Sequence, residues 1–257
     1  MSSPHRARKR FGQNFLHDSF IIDQILHSIQ PTEDDHVIEI GPGQGAITER
    51  LLDSQCNLDV VELDRDLVEL LSRKFAYHQL KIHSADALKF DFCSLSNGDK
   101  LKIVGNLPYN ISTPLIFHIL DKRHCIESMH FMLQKEVVER LAASPNSKAY
   151  GKLSIVTQCL CEVTREFEIP PEAFDPQPKV MSAFVKLAPR EDSLVNAGQW
   201  QSFVSLVTAA FSQRRKTLRN NLKNLIDIDA AEKVIDLGRR AETLTIDEFI
   251  GLLESID

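Results

Sequence analysis

One loop of the sequence combines an amide, a proline and an aromatic ring, residue types that can hold and stack a planar ligand. In GNLPYNIS, residues 105–112, the amide of Asn106 stands two residues before Pro108 and three before Tyr109. Pro108 fixes its own φ and keeps Leu107 out of the helical region, so the loop is stiff. The Asn106 side-chain oxygen and the Leu107 carbonyl can accept hydrogen bonds from an amino group, and Tyr109 offers a face for stacking. The alternative is a turn that merely contains a tyrosine.

A glycine-rich loop stands earlier in the chain. EIGPGQG, residues 39–45, has G-x-G-x-G spacing, whereas dinucleotide-binding folds have G-x-G-x-x-G. Glycine lets the backbone turn sharply and approach a ligand, and the start of the next helix offers unpaired N–H groups. The short loop, with Glu39 two residues before its first glycine, favours S-adenosylmethionine over a pyrophosphate cofactor. We expect Gly41 and Gly43 to contact it, with a purely structural turn as the alternative.

Two acidic residues follow the next two apolar runs. Glu62 lies 21 residues after Gly41, where an acid in a βαβ unit can accept hydrogen bonds from both ribose hydroxyls. Asp64 can instead cap the following helix. In SADAL, residues 84–88, Asp86 can accept the adenine amino group while the Ala87 N–H faces the ring. A loop aspartate alone indicates little, but three such features after three successive strands predict a nucleoside-binding edge.

Alternating apolar strands and helical patterns position these residues. The alternation predicts an α/β sheet with parallel strands and helical crossovers, which binds ligands at its carboxyl edge. β-Branched residues in 153–167 and 180–187 predict late strands that close the sheet. After the linker APREDS the pattern becomes helical, so we expect a domain over 1–188 and a smaller all-α domain over 189–257. The predicted strands are 36–40, 58–63, 80–83, 102–104 and 130–133; the predicted helices are 46–52, 66–75, 200–211, 230–237 and 246–255, with two more starting at 114 and 135.

Charge is segregated along the chain. The net charge is −6, but residues 1–10 carry +4 and residues 214–223 carry +5, so the rest carries −15. Concentrated positive charge binds phosphate backbones whatever the overall isoelectric point, although a solvated helix face or a disordered arm is the alternative. The candidate phosphate contacts are Arg8, Lys9, Arg10, Arg214, Arg215, Lys216 and Arg219.

Several classes of protein are not expected. No apolar run is long enough for a membrane span, and no secretory signal pattern follows residues 1–10, so we expect a cytoplasmic protein. The five cysteines form no C-x-x-C pair with matching ligands and are interpreted as reduced structural thiols. The histidines show no metal-binding spacing, so we expect no metal site.

Taken together, the motifs resemble the rRNA adenine N6,N6-dimethyltransferase family. They recur in order from Gly12 to Leu222, so the resemblance covers nearly the whole chain. It is nearest to the bacterial branch that dimethylates two adjacent adenosines near the 3′ end of 16S rRNA. The motifs are GQNFL, EIGPGQGAIT, VVELD, SADAL, GNLPYNIS, LQKEVVERL, FDPQPKVMSAFVKL and FSQRRKTLRNNL.

This resemblance implies a Rossmann-like class I S-adenosylmethionine-dependent methyltransferase domain followed by a helical RNA-binding domain. Gln13, Asn14 and Leu16 would touch the cofactor, as would Asn106. Phe174, in the stiff segment PPEAFDPQPKV, would stack on the target base opposite Tyr109, with a core phenylalanine as the alternative.

The implied partner is 16S rRNA in a small ribosomal subunit or its precursor, and a monomer is expected. Leu107, where DNA adenine methyltransferases generally have proline, would belong with a pocket that accepts a second methyl transfer. Two alternatives stay open: the antibiotic-resistance branch that dimethylates large-subunit rRNA, and a ribosome-assembly factor that works mainly without catalysis.

Overall fold

A computed structural model describes residues 13–255 of the chain. These residues form two compact units. The first takes the described residues up to Val138 together with Thr164–Pro189, and the second takes Glu139–Val163 together with the described residues from Arg190 onward. The sequence predicted a linear division after residue 188; the observed second unit also includes Glu139–Val163.

A seven-stranded sheet organises the first unit. Its strand order is β4-β3-β2-β5-β6-β9-β7. The first five strands in this order are parallel to one another, and β9 runs antiparallel to β6. The order reverses between β2 and β5, and such a switch point opens a crevice at the carboxyl ends of the strands. A two-stranded antiparallel sheet joins β1 to β8. The strands are β1 (Phe15–Leu16), β2 (His36–Ile40), β3 (Asn57–Glu62), β4 (Leu80–Ser84), β5 (Leu101–Asn106), β6 (Ile126–Gln134), β7 (Cys161–Ile169), β8 (Phe174–Asp175) and β9 (Ser182–Pro189).

Helices cross between the parallel strands, as the alternating pattern predicted. The first helix begins at the cap Asp18, whose carboxylate accepts hydrogen bonds from the Phe20 and Ile21 N–H groups. Its isoleucines at positions 21, 22, 25 and 29 are buried on one face and join the core beside β2 and β3. The helices of this part of the chain are α1 (Ser19–Ile29), α2 (Ala46–Asp53), α3 (Arg65–Lys74), α4 (Ser112–Leu120) and α5 (Lys135–Leu141).

The second unit is mainly helical, as the C-terminal pattern predicted. The buried Tyr150 donates a hydrogen bond from its hydroxyl to the Leu244 carbonyl at 2.9 Å, and its ring meets Phe211 edge to face. Phe211 in turn contacts Phe249, so an aromatic row runs through this core. The helices here are α6 (Lys152–Leu160), α7 (Trp200–Ala210), α8 (Leu218–Leu222), α9 (Ile228–Ala231) and α10 (Ile246–Gly251).

Three local expectations were wrong. Residues 153–167 were expected to be one strand, but helix α6 occupies the segment up to Leu160 and only β7 is extended. Its apolar residues are buried on all sides, so periodicity could not separate strand from helix. The helix after the NLPY loop was expected to start at residue 114; it begins two residues earlier, at Ser112, and its N-cap is Ile111. Helix α9 ends at Ala231, whereas the predicted helix ran from 230 to 237.

The expectation of five reduced cysteines was also wrong. Cys93 and Cys125 form a disulfide, with their Cα atoms 5.6 Å apart. They lie 32 residues apart in sequence, but each precedes one of the adjacent parallel strands β5 and β6, so the fold brings them to the same edge. Cys56, Cys159 and Cys161 are free and buried. Within residues 13–255, no helix has both the length and the apolar character needed to cross a bilayer.

Candidate active site

A cavity of about 320 Å³ opens at the carboxyl ends of the parallel strands, on both sides of the switch point. This is the edge where the sequence predicted a ligand site. Residues from five predicted motifs line it. They are Gln13, Asn14 and Leu16 of the N-terminal segment, Gly41 and Gly43 of the glycine loop, Glu62, Asp86 and Ala87 after the next two strands, and Asn106, Leu107, Pro108 and Tyr109 of the NLPY loop.

The glycine loop forms one wall of the cavity. Gly43 has φ +59°, in the left-handed region that favours glycine, and a Cβ placed on it would lie 2.9 Å from a ring carbon of Phe15. The loop is also fixed to β3, because the Gly41 N–H donates to the Val61 carbonyl at 3.0 Å. Gly41 also has a positive φ, +66°, so both glycines have a conformational reason to be where they are.

Glu62 ends β3 and its side chain is nearly buried, with 7% of its surface exposed. Burial raises the pKa of this carboxyl, although backbone N–H groups of Asp64, Gly43 and Leu63 partly offset the rise. The Asp64 N–H donates to Glu62 Oε1 at 2.8 Å, while Asp64 itself accepts from Asp66 and caps α3. The two acids thus divide the roles that the sequence left open: Asp64 caps the helix and Glu62 faces the cavity.

Glu39 lines the cavity, but the sequence prediction did not name it among the residues that contact the cofactor. It is 2% exposed, and its Oε2 accepts a hydrogen bond from the Thr48 hydroxyl at 2.6 Å. Burial raises the pKa of Glu39 to about 7; the Thr48 hydrogen bond opposes this rise and the nearby charge of Glu62 adds to it. The signal available in the sequence was the acid two residues before Gly41.

Asp86 and Ala87 follow β4 and line the same cavity. The Leu88 N–H donates to Asp86 Oδ1 at 3.0 Å, which orients the carboxylate in a tight turn. Both residues are partly exposed, so their polar groups can still meet a ligand.

Asn106 ends β5, and its amide is oriented by the N-terminal segment. Its Nδ2 donates to the Asn14 carbonyl at 2.9 Å, which assigns the other side of the amide to Oδ1, a pure acceptor. The next residue, Leu107, is held by β6 through its N–H, 3.2 Å from the Met132 carbonyl. β5 runs close to β2 here, since a Cβ on Gly105 would lie 2.6 Å from the Ile40 carbonyl oxygen.

Tyr109 lines the cavity with its hydroxyl anchored. The hydroxyl lies 2.7 Å from the Ser182 hydroxyl on β9, and burial raises the pKa of Tyr109, so the phenol stays neutral. The hydrogen bond at the hydroxyl fixes the orientation of the Tyr109 ring, as a stacking surface requires.

The N-terminal segment lines the cavity, and its contact with the cofactor stays a prediction. Gln13 Nε2 lies 3.2 Å from Asp64 Oδ2, the Asn14 carbonyl meets Asn106, and Phe15 rests over Gly43. Leu16, on β1, is 7% exposed and also lines the cavity.

Phe174 needs a correction. The sequence placed it over the target base, but its side chain is 1% exposed, pairs through β8 with Leu16, and belongs to the hydrophobic core. A ring packed on all sides has no face left for a base, and Phe174 is absent from the cavity wall. The core alternative describes it in this structure.

The basic residues fall in two places. Arg8, Lys9 and Arg10 lie outside the described residues. Arg214, Arg215 and Lys216 are exposed in the turn between α7 and α8, which Asn221 fixes by donating to the Ala210 and Gln213 carbonyls. Arg219 is exposed as well but forms an ion pair with Glu232. Their contact with RNA stays a prediction.

The cavity fits a cationic nucleoside. Glu39 and Glu62 are buried carboxylates whose pKa values are raised by desolvation, so a positively charged ligand would stabilise their ionised forms. Asp86 and the Ala87 backbone supply polar groups at the neighbouring strand end. S-Adenosylmethionine, which has an ammonium, a sulfonium, a ribose and an adenine, matches this set of groups.

Comparisons with known proteins agree with this geometry. Residues 4–257 match the family model described as ribosomal RNA adenine dimethylase. The chain is 54% identical to a ribosomal RNA small subunit methyltransferase A from Saccharophagus degradans over 98% of this chain and 95% of that protein. It is 53% identical to the protein of the same name from Pseudomonas aeruginosa, with the same coverage.

Solved structures give the same picture of the fold. A dimethyladenosine transferase from Plasmodium falciparum is 26% identical and superposes with a TM-score of 0.81 over 93% of this chain and 95% of that one. The 23S rRNA methyltransferase ErmE is 24% identical, with a TM-score of 0.75 over 95% of this chain and 100% of that one, and shows a shared fold.

Proposed function

The chain belongs to the ribosomal RNA adenine dimethylase family, a family of S-adenosylmethionine-dependent enzymes, and from this premise we propose that it dimethylates N6 of two adjacent adenosines near the 3′ end of 16S rRNA. The bound cofactor supplies an electrophilic methyl group on sulfur. One observation carries the proposal: the Asn106 amide ends β5 at the cofactor cavity, where its Nδ2 donates a hydrogen bond to the Asn14 carbonyl and so directs Oδ1 the other way. Its acceptor oxygen is therefore available to an amino group.

The acceptor oxygen answers a chemical need. The adenine N6 is a poor nucleophile because its lone pair is delocalised into the ring. Asn106 Oδ1 and the Leu107 carbonyl would hold the two N6–H groups and favour a pyramidal nitrogen whose lone pair points at the methyl group. The proton leaves after transfer has made the nitrogen cationic, so no charged base is required. Catalysis is then mainly positioning and alignment.

Tyr109 would supply the stacking surface for the base. A base inside a duplex cannot reach the cavity, so the target adenosine is unpaired or flipped. The anchored ring of Tyr109 lies next to Asn106 in the loop, and stacking is worth about 1 to 3 kcal/mol per base. Leu107, buried at 1% exposure, takes the place of the proline that DNA adenine methyltransferases have, and we assign it to the pocket for the second methyl transfer.

The small-subunit substrate rests on the relatives. Eight of them, 49% to 54% identical over 98% of this chain, are named ribosomal RNA small subunit methyltransferase A. This favours the small-subunit substrate over the large-subunit alternative. We extend the proposal to a cytoplasmic monomer that acts on a small subunit or its precursor. Sedimentation of the purified protein alone would test the monomer, and sedimentation with subunits would test the binding.

One experiment tests the reaction. Purified protein is incubated with labelled S-adenosylmethionine and undermethylated small or large ribosomal subunits, and the RNA is digested. We expect N6,N6-dimethyladenosine in small-subunit RNA alone. Its appearance only in large-subunit RNA would favour the resistance branch, and its absence from both would refute the enzyme assignment.

A matched pair of variants tests the stacking role. Tyr109→Phe keeps the ring and removes only the hydroxyl that contacts Ser182, whereas Tyr109→Ala removes the ring. We expect methylation to fall about 10- to 100-fold in Tyr109→Ala and only a few-fold in Tyr109→Phe. Equal losses in the two variants would contradict stacking.

Phosphate binding by the turn before α8 has a separate test. RNA affinity should fall as salt concentration rises, and the slope of log affinity against log salt is therefore negative. Replacing Arg214, Arg215 and Lys216 by glutamine should make this slope shallower by about two. Lys233→Gln, an exposed lysine elsewhere in the helical unit, is the control and should leave the slope near that of the wild type. An unchanged slope in the triple variant would remove the turn from the RNA-binding surface.

A further inference from the structure

A group of soft ligands lies outside the methyl-transfer cavity. The Sγ atoms of Cys93 and Cys125 and a ring nitrogen of His124 lie within 4.8 Å of one another. In the part of the chain that the structure describes, this is the one group of three or more histidine, cysteine or acidic side chains close enough to hold a metal ion. None of the three lines the cavity, so the group is independent of the proposed reaction.

The fold assembles this group from two short 3-10 turns. Cys93 lies in the turn Phe92–Leu95 ahead of β5, and Cys125 ends the turn Arg123–Cys125 that leads into β6. The Lys122 carbonyl oxygen lies 3.5 Å from Cys93 Sγ and 3.2 Å from Cys125 Sγ, so both sulfurs converge on one backbone group. Both turns precede strands that are paired in parallel, so the fold brings the two turns to the same edge of the sheet.

The geometry between sulfur and nitrogen suits zinc. Cys93 Sγ lies 3.5 Å from His124 Nε2. Zinc bonds of about 2.3 Å to sulfur and about 2.0 Å to nitrogen, at a tetrahedral angle, place the two ligand atoms about 3.5 Å apart. The pair therefore already has the required separation. After reduction, the Cys125 sulfur has to move away from the Cys93 sulfur until the two are about 3.8 Å apart. Two zinc–sulfur bonds of about 2.3 Å at a tetrahedral angle give this separation.

We propose that, once the disulfide is reduced, Cys93, His124 and Cys125 form a binding site for Zn²⁺. A dithiol reductant supplies two electrons and two protons, which convert the disulfide into two thiols while the reductant becomes a disulfide. Zn²⁺ then binds two thiolates and the neutral imidazole, and two protons are released to solvent. The disulfide and the zinc site are alternative states of the same two sulfurs.

The surroundings are compatible with a bound dication. Two positively charged residues, Lys122 and Arg123, precede His124 in sequence. The Lys122 ammonium lies 3.5 Å from an Asp91 carboxylate oxygen, which offsets its charge. His124 is exposed and Cys93 is partly exposed, so ions and reductants have access, while Cys125 is buried. Three protein ligands with an exposed side leave a fourth position for water, as in open zinc sites.

The test uses Co²⁺ as a spectroscopic stand-in for Zn²⁺ on the full-length protein. After reduction with a non-chelating phosphine, Co²⁺ should produce sulfur-to-cobalt charge-transfer absorption that saturates at one ion per chain and disappears when Zn²⁺ is added. The same protein with its disulfide intact should show no such absorption. Absence of the absorption after reduction would overturn the proposal.

Variants assign the ligands. Cys93→Ser, at a partly exposed position, should abolish the charge-transfer absorption, and His124→Ala should weaken Zn²⁺ binding at least about tenfold, since losing a direct ligand costs no less than losing its outer-shell support. His78→Ala, an exposed histidine elsewhere, and Cys159→Ser, a free cysteine elsewhere, are the controls and should bind as the wild type does. Binding that survives Cys93→Ser, or that depends on Cys159, would place the metal elsewhere. Methylation activity is not the readout, so this result stands apart from the proposed reaction.

Discussion

Buried carboxylates occur at two places on the same sheet, and their surroundings differ. Glu39 and Glu62, at the carboxyl ends of β2 and β3, have their pKa values raised by burial. Asp59, further back on β3, has a fully buried side chain but accepts hydrogen bonds from His36 Nε2 at 2.7 Å and His83 Nε2 at 2.5 Å. Burial alone would raise the pKa of Asp59; the hydrogen bonds and charges of the two histidines outweigh it and hold that pKa below its usual value.

The difference separates a structural group from a binding group. The fold itself partners Asp59, so its charge links three strands. Among residues 13–255, the hydrogen bonds to the Glu39 and Glu62 carboxylates come from neutral groups, the Thr48 hydroxyl and backbone N–H groups, and no cation within that range compensates their desolvation. A cationic ligand would supply that compensation. We therefore expect changes at Asp59 to affect stability, and changes at the two glutamates to affect cofactor binding.

The largest expected effect comes from Asp59→Ala. It leaves two histidine ring nitrogens without their shared acceptor, and the free energy of unfolding should fall by about 3 to 5 kcal/mol, as measured by urea denaturation. Asp53→Ala, at a side chain that is 72% exposed, is the control and should change stability by less than about 0.5 kcal/mol. A loss at Asp59 no larger than the control's would show that the cluster is not structural.

Glu62→Gln should act on binding instead. Losing a charged acceptor for a ligand hydroxyl costs about 1.5 to 3 kcal/mol, so the Kd for S-adenosylmethionine should rise about 10- to 100-fold in calorimetry. The ligand-free protein should be as stable as the wild type or more stable, because a desolvated charge is removed. Glu69→Gln, on the exposed face of α3, is the matched control. If Glu62→Gln lost stability but kept its affinity for S-adenosylmethionine, Glu62 would be a structural group like Asp59 and not a binding group.

Glu39→Gln should show the cost of the desolvated Glu39 charge as a pH dependence of stability. The pKa of Glu39 is raised from 4.5 to about 7, so between these values the folded state holds a proton that the unfolded state releases, and stability falls as pH rises. The variant lacks this penalty. It should exceed the wild type in unfolding free energy by at least about 1 kcal/mol at pH 8, and the gain should shrink toward pH 5. A gain independent of pH would point to packing as its cause.

Acid titration of Asp59 should give the smallest effect. The pKa of Asp59 is lowered in the folded state, so its contribution is complete above the unfolded value of 3.8 and is lost as pH falls through the folded value. Asp59→Asn lacks this titration. Urea midpoints measured from pH 5 downward should therefore converge for the two proteins below pH 3.8. Parallel curves would mean that the carboxylate is not held ionised by the histidines.

Much of the site could be predicted from sequence because its residues sit at strand ends. Glu62, Asp86 and Asn106 each follow an apolar run, and parallel strands bring such positions to one edge whatever the details of packing. The glycine spacing then indicated the ligand. Cys93 and Cys125 could not be paired from sequence, because their contact depends on which strands are neighbours.

The position of Phe174, in contrast, could not be predicted from the sequence. The prolines near it predicted a stiff segment and the family resemblance implied stacking on the target base, yet β8 pairs with β1 and the ring lies in the core. Pairing between segments far apart in sequence decides which face of a residue is buried, and a short segment carries no periodicity from which to infer it. The residues that orient the site, such as Asn14 for Asn106 and Ser182 for Tyr109, are distant in sequence for the same reason.

The sequence by itself determined the strand and helix alternation, the glycine loop, the acids at the strand ends and the NLPY loop, because each depends on local spacing and residue type. Only the tertiary structure decided which carboxylates have partners, which way the Asn106 amide points, where Phe174 lies and which cysteines meet. These outcomes depend on contacts between segments separated by tens of residues, and only the packed chain brings those segments together.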